Sequence, residues 1–566
     1  MSGRQLFGLS AAGGVAVGHA LVLRDVEADA NGGGGGGEAE QRRALEALAR
    51  VGAELGQSAE RARSEGRVDE ADILETNRAM AEDPALADEV RGLAERTSAV
   101  AAVVQATEHH AAQLESIPDP MLAARAADVR RLGARAARLL TGAPAFSIPL
   151  RPTIVIASDL GPADTAELDL ARGRVRGLAL AGGGATSHAA IMARALGLPM
   201  VVGLGDEILS AVDGDHVVLD GDAGSAVLAP DETELDTAVR AVHERRHMRR
   251  KLAAGRALPA VTRDGRKVRL LCNASTSAEV EAGLAAGAEG VGLLRTELGF
   301  LEGTAWPTEA EHVEALSPVL APLAGRIATV RTLDFGADKT PPFLAGVRER
   351  GLALLLAHPE ALAAQLRAIL AAGAATKLRV LLPLVGDPDQ LCTVRALVPE
   401  AFELGAMIET PEAAGRAAEI AAEADFVSIG TNDLVQYTLG LDREQPLATV
   451  QAAADPEVLG HIARVVEAAH DRGLTVEVCG EAAGDLALAV LLIGLGVDEL
   501  SVAPARLDEV RATVRRLSAA TAGEAARSAL TAPSARQALA LAAEALSAEP
   551  GDERGEMVDG LGGVVA

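Results

Sequence analysis

The chain has 566 residues, 80 of them acidic and 53 basic, for a formal charge of −27, with 49% apolar residues. That length exceeds what one hydrophobic core serves, so several domains are expected, and the acidity excludes nucleic acid as a partner because phosphate backbones require a local surplus of Lys and Arg. There is no run of about 18 apolar residues and no leader-like start, and Cys272, Cys392 and Cys479 form neither a CxxC pair nor a disulfide framework; a soluble, cytoplasmic protein without membrane insertion is expected.

Taken in chain order, residues 5–24 alternate apolar and small side chains and predict one or two strands. The glycines Gly32–Gly37 predict a flexible joint. From Glu38 to about Leu140 the apolar positions recur with helical spacing, as at Leu45, Leu48, Val51 and Leu55, which predicts a helical subdomain inserted after the first strands. Strand signals return at Thr153–Ala157, Arg176–Leu180, Met200–Val202 and His216–Leu219, giving a compact α/β domain over residues 145–230. A charged stretch at 232–257 reads as a solvated linker helix. Beyond Leu258, eight short apolar runs are each followed by a helix-length segment: Val268–Cys272, Gly290–Leu294, Ile327–Val330, Leu378–Leu382, Leu404–Ile408, Phe426–Ile429, Thr475–Val478 and Glu499–Val502. Eight such units predict a (β/α)8 TIM barrel, with an open doubly wound sheet as the alternative. The polar residues favour the barrel, because Arg295, Arg331, Glu409, Asn432-Asp433 and Cys479 all follow strand ends and would meet at one rim. Residues 521–566 read as an Ala-rich helix followed by an acidic tail without a site.

Two groups of residues carry chemistry. Gly182-Gly183-Gly184-Ala185-Thr186-Ser187-His188 is a glycine-rich turn that delivers one histidine to the head of a short helix. Backbone N–H groups can crowd an anion there, and a neutral imidazole is a nucleophile that also leaves well once phosphorylated. A helix-capping histidine is the plainer alternative. On the barrel rim, Arg295, Arg331 and Arg443 suit a small, multiply charged anion through paired hydrogen bonds. Glu409 and Asp433 offer oxygens to a hard cation such as Mg²⁺, or else form a salt-bridged rim without metal. Cys479 is either a buried small hydrophobe or a proton donor. Together these residues predict metal-assisted phosphoryl transfer from a small carboxylated phosphate ester to His188, carried on a domain that swings between two stations.

The chain resembles enzyme I of the phosphoenolpyruvate:sugar phosphotransferase system from about Gly8 to Leu517. The resemblance rests on Gly183-Gly184-Ala185-Thr186-Ser187-His188-Ala189-Ala190-Ile191-Met192-Ala193-Arg194 and on Phe426-Val427-Ser428-Ile429-Gly430-Thr431-Asn432-Asp433-Leu434-Val435-Gln436-Tyr437-Thr438. It implies autophosphorylation of His188 by phosphoenolpyruvate and transfer to a histidine of the phosphocarrier HPr. By the same resemblance Arg295, Arg331, Asn432, Asp433 and Arg443 contact phosphoenolpyruvate, Glu409 and Asp433 bind Mg²⁺, and Cys479 protonates the enolate. The implied domains are 1–30 (first strands of the phosphohistidine domain), 31–144 (helical HPr-binding subdomain), 145–230 (phosphohistidine domain), 231–258 (linker helix), 259–545 (phosphoenolpyruvate-binding barrel) and 546–566 (acidic tail). A homodimer through the barrel is implied as well. The HPr platform would include Ile73-Leu74-Glu75 and Met80-Ala81-Glu82-Asp83-Pro84. Departures from the family pattern are the glycine run, a short connection from Asp338-Lys339 to Arg350-Gly351, Ala353 in place of arginine, and Glu477 in place of glycine just before Cys479. The alternatives are a phosphoenolpyruvate synthase or dikinase-like enzyme and an inactive regulatory relative.

Overall fold

The computed structural model describes residues 3–23, 36–64, 68–117, 125–142, 148–161, 164–165, 168, 173–184, 187–301, 303–336, 340–398, 402–441 and 450–548. The chain divides into two compact units, Met1–Arg246 and His247–Ala566. Most of the glycine run, the Asp338-Lys339 pair and Arg443 lie outside the described residues.

The first unit is built on an eight-stranded sheet. Its strands are β1 (Arg4–Phe7), β2 (Leu9–Ala12), β3 (Val15–Leu23), β4 (Thr153–Ala157), β5 (Val175–Leu180), β6 (Met200–Val202), β7 (His216–Asp220) and β8 (Ser225–Leu228), in the spatial order β1-β8-β7-β3-β4-β5-β6-β2. The stretch predicted as one or two strands is therefore three, with Gly14 at φ 119° turning the chain between β2 and β3. Strand β8 carries too short an apolar run to stand out from the turn before it. β3 pairs in parallel with β4 although about 130 residues separate them. Between them lie five described helices, Glu38–Ser64, Val68–Ala81, Pro84–Ala94, Ala99–Glu115 and Ala126–Thr141. Asp83 caps the third helix through the Ala85 N–H, with Pro84 at its first position, and Ser98 caps the fourth. Leu48, Val51, Leu55, Leu74, Leu86, Val90, Val103 and Leu132 form the buried seam of this block, each such side chain contributing roughly 1.5–3 kcal/mol.

The second unit settles the choice between barrel and open sheet. Strands β9 (Arg269–Ala274), β10 (Gly290–Leu294), β11 (Ile327–Arg331), β12 (Lys377–Leu382), β13 (Glu403–Ile408), β14 (Phe426–Ile429), β15 (Thr475–Val478) and β16 (Glu499–Val502) pair in parallel all the way round. β16 closes on β9, with Glu499 opposite Arg269 and Val502 opposite Cys272. Residues such as Leu270, Val330, Val380, Leu404, Val427, Val476 and Leu500 pack outward into a large core with the helices. The residues between them fill the interior, where Leu293, Leu381, Met407, Phe426 and Cys479 form a small cluster. The Ala-rich C-terminal stretch is two helices, Ala519–Ala529 and Ala535–Ala548, instead of one. Among the described residues no single helix is long and apolar enough to cross a membrane.

Candidate active site

The site is assembled at the C-terminal ends of the barrel strands. β11 ends in Arg331, which is 6% exposed. Its Nη2 donates to Glu297 Oε1 at 2.8 Å, and its Nη1 lies 2.9 Å from Asp334 Oδ2. Burial alone would pull the guanidinium down, but Glu297, Asp334 and Glu409 outweigh it and hold the group above its ordinary value. Gln365, fully buried, accepts from the Leu333 N–H at 3.0 Å and donates to Thr296 Oγ1 at 3.1 Å, while Thr296 Oγ1 donates to the Arg331 carbonyl at 2.9 Å. This bridge ties the end of β10 to the end of β11 and fixes where Arg331 points. Arg295, half-buried just past β10, forms no ion pair among the described residues.

A second group sits on the neighbouring strands. Glu409, 2% exposed, follows β13, and its Oε1 accepts from the Leu384 N–H at 2.7 Å. Leu384 holds φ at 51°, a strained geometry for leucine, so this contact is imposed by the surrounding fold. The other oxygen, Oε2, faces Gly430, where a Cβ would come within 2.6 Å of it; only glycine lets the carboxylate lie against that backbone. Burial first, then Asp433 and Asp334, raise the Glu409 carboxyl well above its usual range. Asp433, 5% exposed, opens the helix Thr431–Leu439, and Arg350 Nη2 lies 3.4 Å from its Oδ1. Asn432 Oδ1 accepts from the Glu481 N–H at 3.1 Å. Glu409 and Asp433 are buried, repel each other and supply hard oxygen donors, so this pair fits a divalent cation such as Mg²⁺.

Cys479 completes the rim one step past β15. It is 2% exposed, Ser428 Oγ donates to its Sγ at 3.3 Å, and Asn273 Nδ2 donates to its carbonyl at 3.0 Å. Burial, then the nearby Glu477 carboxylate, push the thiol up to about 12. The thiol is thus held protonated, as a weak acid facing inward.

In the first unit, Ser187 Oγ accepts from the Ala190 N–H at 3.3 Å and so caps the helix His188–Leu196, which ends at Gly197 with φ 63°. Gly182, Gly183 and Gly184 are exposed, and Gly183 holds φ at 81°. The backbone of the glycine turn thus leads into a capped helix at His188. Ala185 and Thr186 lie outside the described residues. In the helical block, Leu74 is buried and Asp83 is used as a cap, so of the two segments expected to meet HPr the surface offers Glu82, Asp83 and Pro84, with Glu82 paired to Arg78 at 3.0 Å.

Of the residues singled out in the sequence, the barrel brings together Arg295, Arg331, Glu409, Asn432, Asp433 and Cys479, at the ends of five successive or near-neighbour strands. Sequence reasoning missed Glu297, Asp334, Arg350 and Gln365. The first two lie in Leu294-Arg295-Thr296-Glu297 and Arg331-Thr332-Leu333-Asp334, where a carboxylate two or three residues after each arginine was the available signal.

A parallel barrel with a cationic and carboxylate rim, preceded by a glycine-turn histidine domain, defines a class, and the comparison with known families agrees with it. Residues 7–125 match "PEP-utilising enzyme, N-terminal", residues 149–224 match "PEP-utilising enzyme, mobile domain", and residues 249–519 match "PEP-utilising enzyme, PEP-binding domain". The chain is 39% identical over 531 residues to the phosphoenolpyruvate-protein phosphotransferase of Streptomyces coelicolor, covering 90% of this chain and 93% of that protein. It is 32% identical over 561 residues to the phosphoenolpyruvate-protein phosphotransferase of Haemophilus influenzae, covering 94% and 97%. This chain belongs to the phosphoenolpyruvate-protein phosphotransferase family. It is also 40% identical over 462 residues to the multiphosphoryl transfer protein of Xanthomonas campestris, covering 78% of this chain and 55% of that longer protein, and it spans 58% of the Rhodobacter capsulatus protein of the same name.

Proposed function

We propose that this chain takes the phosphoryl group of phosphoenolpyruvate onto His188 and passes it to a histidine of the phosphocarrier HPr, the first step of the sugar phosphotransferase system. The observation that carries the reading is the meeting of Arg331, Glu409, Asp433 and Cys479 at one end of a closed barrel, all nearly buried. Arg331, aimed by Glu297 and Asp334, and Arg295 bind the carboxylate and phosphate of the substrate, with Arg443 as a further contact. Asn432, oriented by the Glu481 N–H, contributes a side-chain amide, and Arg350 steadies Asp433. Glu409 and Asp433 would hold Mg²⁺, which when bound offsets negative charge on substrate oxygens. Cys479, kept protonated by burial, donates its proton to the enolate carbon so that pyruvate leaves as the ketone.

His188 lies in the other unit, so the reaction needs its imidazole to travel to the rim and back to a docking surface on the helical block. The chain's acidity favours encounter with a basic face of HPr. A homodimer through the barrel unit belongs to the same proposal, and sedimentation checks it. The central test is labelling with radioactive phosphoenolpyruvate in the presence of Mg²⁺. His188→Ala should abolish label while the protein stays folded; label retained at another residue would overturn the nucleophile.

A further inference from the structure

The opposite mouth of the barrel, where the strands begin, holds a cleft that phosphoryl transfer does not use. It is open to solvent and has a volume of about 570 Å³, ample for a small molecule. Its walls carry Lys267 and Arg269 from the start of β9, Glu289 from just before β10, Arg326 from just before β11, and Lys377 from the start of β12. Ile327 lies beside Lys377 in the register of β11 and β12, and the Lys377 N–H donates to the Arg326 carbonyl at 2.7 Å. Arg326 and Lys377 therefore come from adjacent strand ends. Strands of five or six residues separate this mouth from the rim by roughly 17–20 Å.

Ion pairing in the cleft is incomplete. Glu289 is taken by Lys267 at 3.1 Å. Glu499, 0% exposed, is shared between Arg269 and Arg379, and Arg379 also reaches Glu403 at 3.1 Å. The further carboxylates Asp425 and Asp498, next to the starts of β14 and β16, are bonded to Arg395 at 2.8 Å and His470 at 2.9 Å. Arg326 and Lys377, both exposed, form no ion pair among the described residues. Five cations, Lys267, Arg269, Arg326, Lys377 and Arg379, are thus answered by three carboxylates, in a chain whose formal charge is −27. Like charges on neighbouring strands repel, and a concave surface concentrates the field that results.

We propose that this cleft binds a compact anion bearing two or more phosphoryl groups and no aromatic ring. Arg326 supplies a planar fork for paired hydrogen bonds to one phosphoryl group, and Lys377 and Lys267 supply point charges for another. Arg269, held in place by buried Glu499, adds a positioned guanidinium on the β9 side. A singly charged anion would answer only one of the two unmatched cations. A nucleotide base would gain nothing, because the lining has no aromatic ring and Ile327 is its one aliphatic side chain. The bound anion would join the starts of β9, β11 and β12 and so stabilise the folded barrel.

The test is calorimetric titration of the full chain with inorganic pyrophosphate, in chelator and at low salt, without phosphoenolpyruvate. The wild type should bind one equivalent per chain. Arg326→Gln combined with Lys377→Gln should weaken binding at least about tenfold while leaving the unfolding midpoint of the ligand-free protein in place. Arg331→Met, at the other end of the barrel, should bind as the wild type does. Glu289→Gln frees Lys267 and should tighten binding severalfold, a gain that damaged folding could not produce. Inorganic triphosphate should bind at least as tightly as ATP, since the base finds no partner. Absence of saturable binding would overturn the proposal, as would equal affinity in the double variant, loss of binding in Arg331→Met, weaker binding in Glu289→Gln, or a clear preference for ATP. None of these outcomes bears on labelling of His188 by phosphoenolpyruvate, which tests the phosphoryl-transfer reading separately.

Discussion

Replacing Arg331 with Met tests whether the rim is the charged cluster described here. The substitution keeps a long apolar stem and deletes a cation whose two arms are 2.8 Å from Glu297 and 2.9 Å from Asp334. Glu297 is 0% exposed and Asp334 8%, so neither carboxylate can recover the lost partner from bulk water. Breaking a buried pair by removing one member typically costs about 3–5 kcal/mol, because the remaining charge is stranded. Spread over a unit running His247–Ala566, that amounts to a fall of roughly 5–8 °C in the midpoint of the barrel's unfolding transition. Calorimetry without substrate or metal reads it directly. A midpoint within about 1 °C of wild type at neutral pH would refute the reasoning, since it would mean the carboxylates are hydrated or already neutral.

Under the proposed Mg²⁺ assignment, Glu409→Gln should raise the unfolding midpoint in chelator, because it removes a carboxyl whose ionisation burial, Asp433 and Asp334 oppose, and it should abolish the upward shift expected when Mg²⁺ is added to the wild type. Equal Mg²⁺ shifts in both proteins would remove Glu409 as a ligand. His312 is 1% exposed, packs against Phe300 with ring centroids 4.8 Å apart, and is lowered to about 4 by burial. Its folded-state value lies below the unfolded one, so this contribution to stability is intact above about 6.5 and is lost as pH falls through about 4, by roughly 3 kcal/mol in all. His312→Phe should flatten that part of the acid-unfolding curve, and an unchanged curve would assign the acid sensitivity to other groups.

The barrel strands were legible in the sequence because parallel strands covered on both faces read as apolar runs; Gly290–Leu294, Phe426–Ile429, Thr475–Val478 and Glu499–Val502 fall where the runs predict them. The short antiparallel strands of the first unit were harder to read, since β1, β2 and β8 are four residues each and separated by glycine turns. The rim residues Arg331, Glu409, Asp433 and Cys479 could be picked out by position, as polar side chains directly after apolar runs.

Their state could not be read that way. Closure of the sheet, through the pairing of β16 with β9, is a contact between segments more than 200 residues apart, and local pattern carries no information about it. The fold buries Glu297, Asp334, Gln365 and Glu477, which in sequence look like ordinary loop, helix or strand polarity. Residue identity and spacing determined which groups could do chemistry, because side-chain type and strand period are local properties. Burial and mutual distance decided which carboxylates are pressed together, which arginine is aimed by two partners and which thiol is kept protonated, because electrostatic energy depends on separation and on the exclusion of water, and both arise only when distant segments meet.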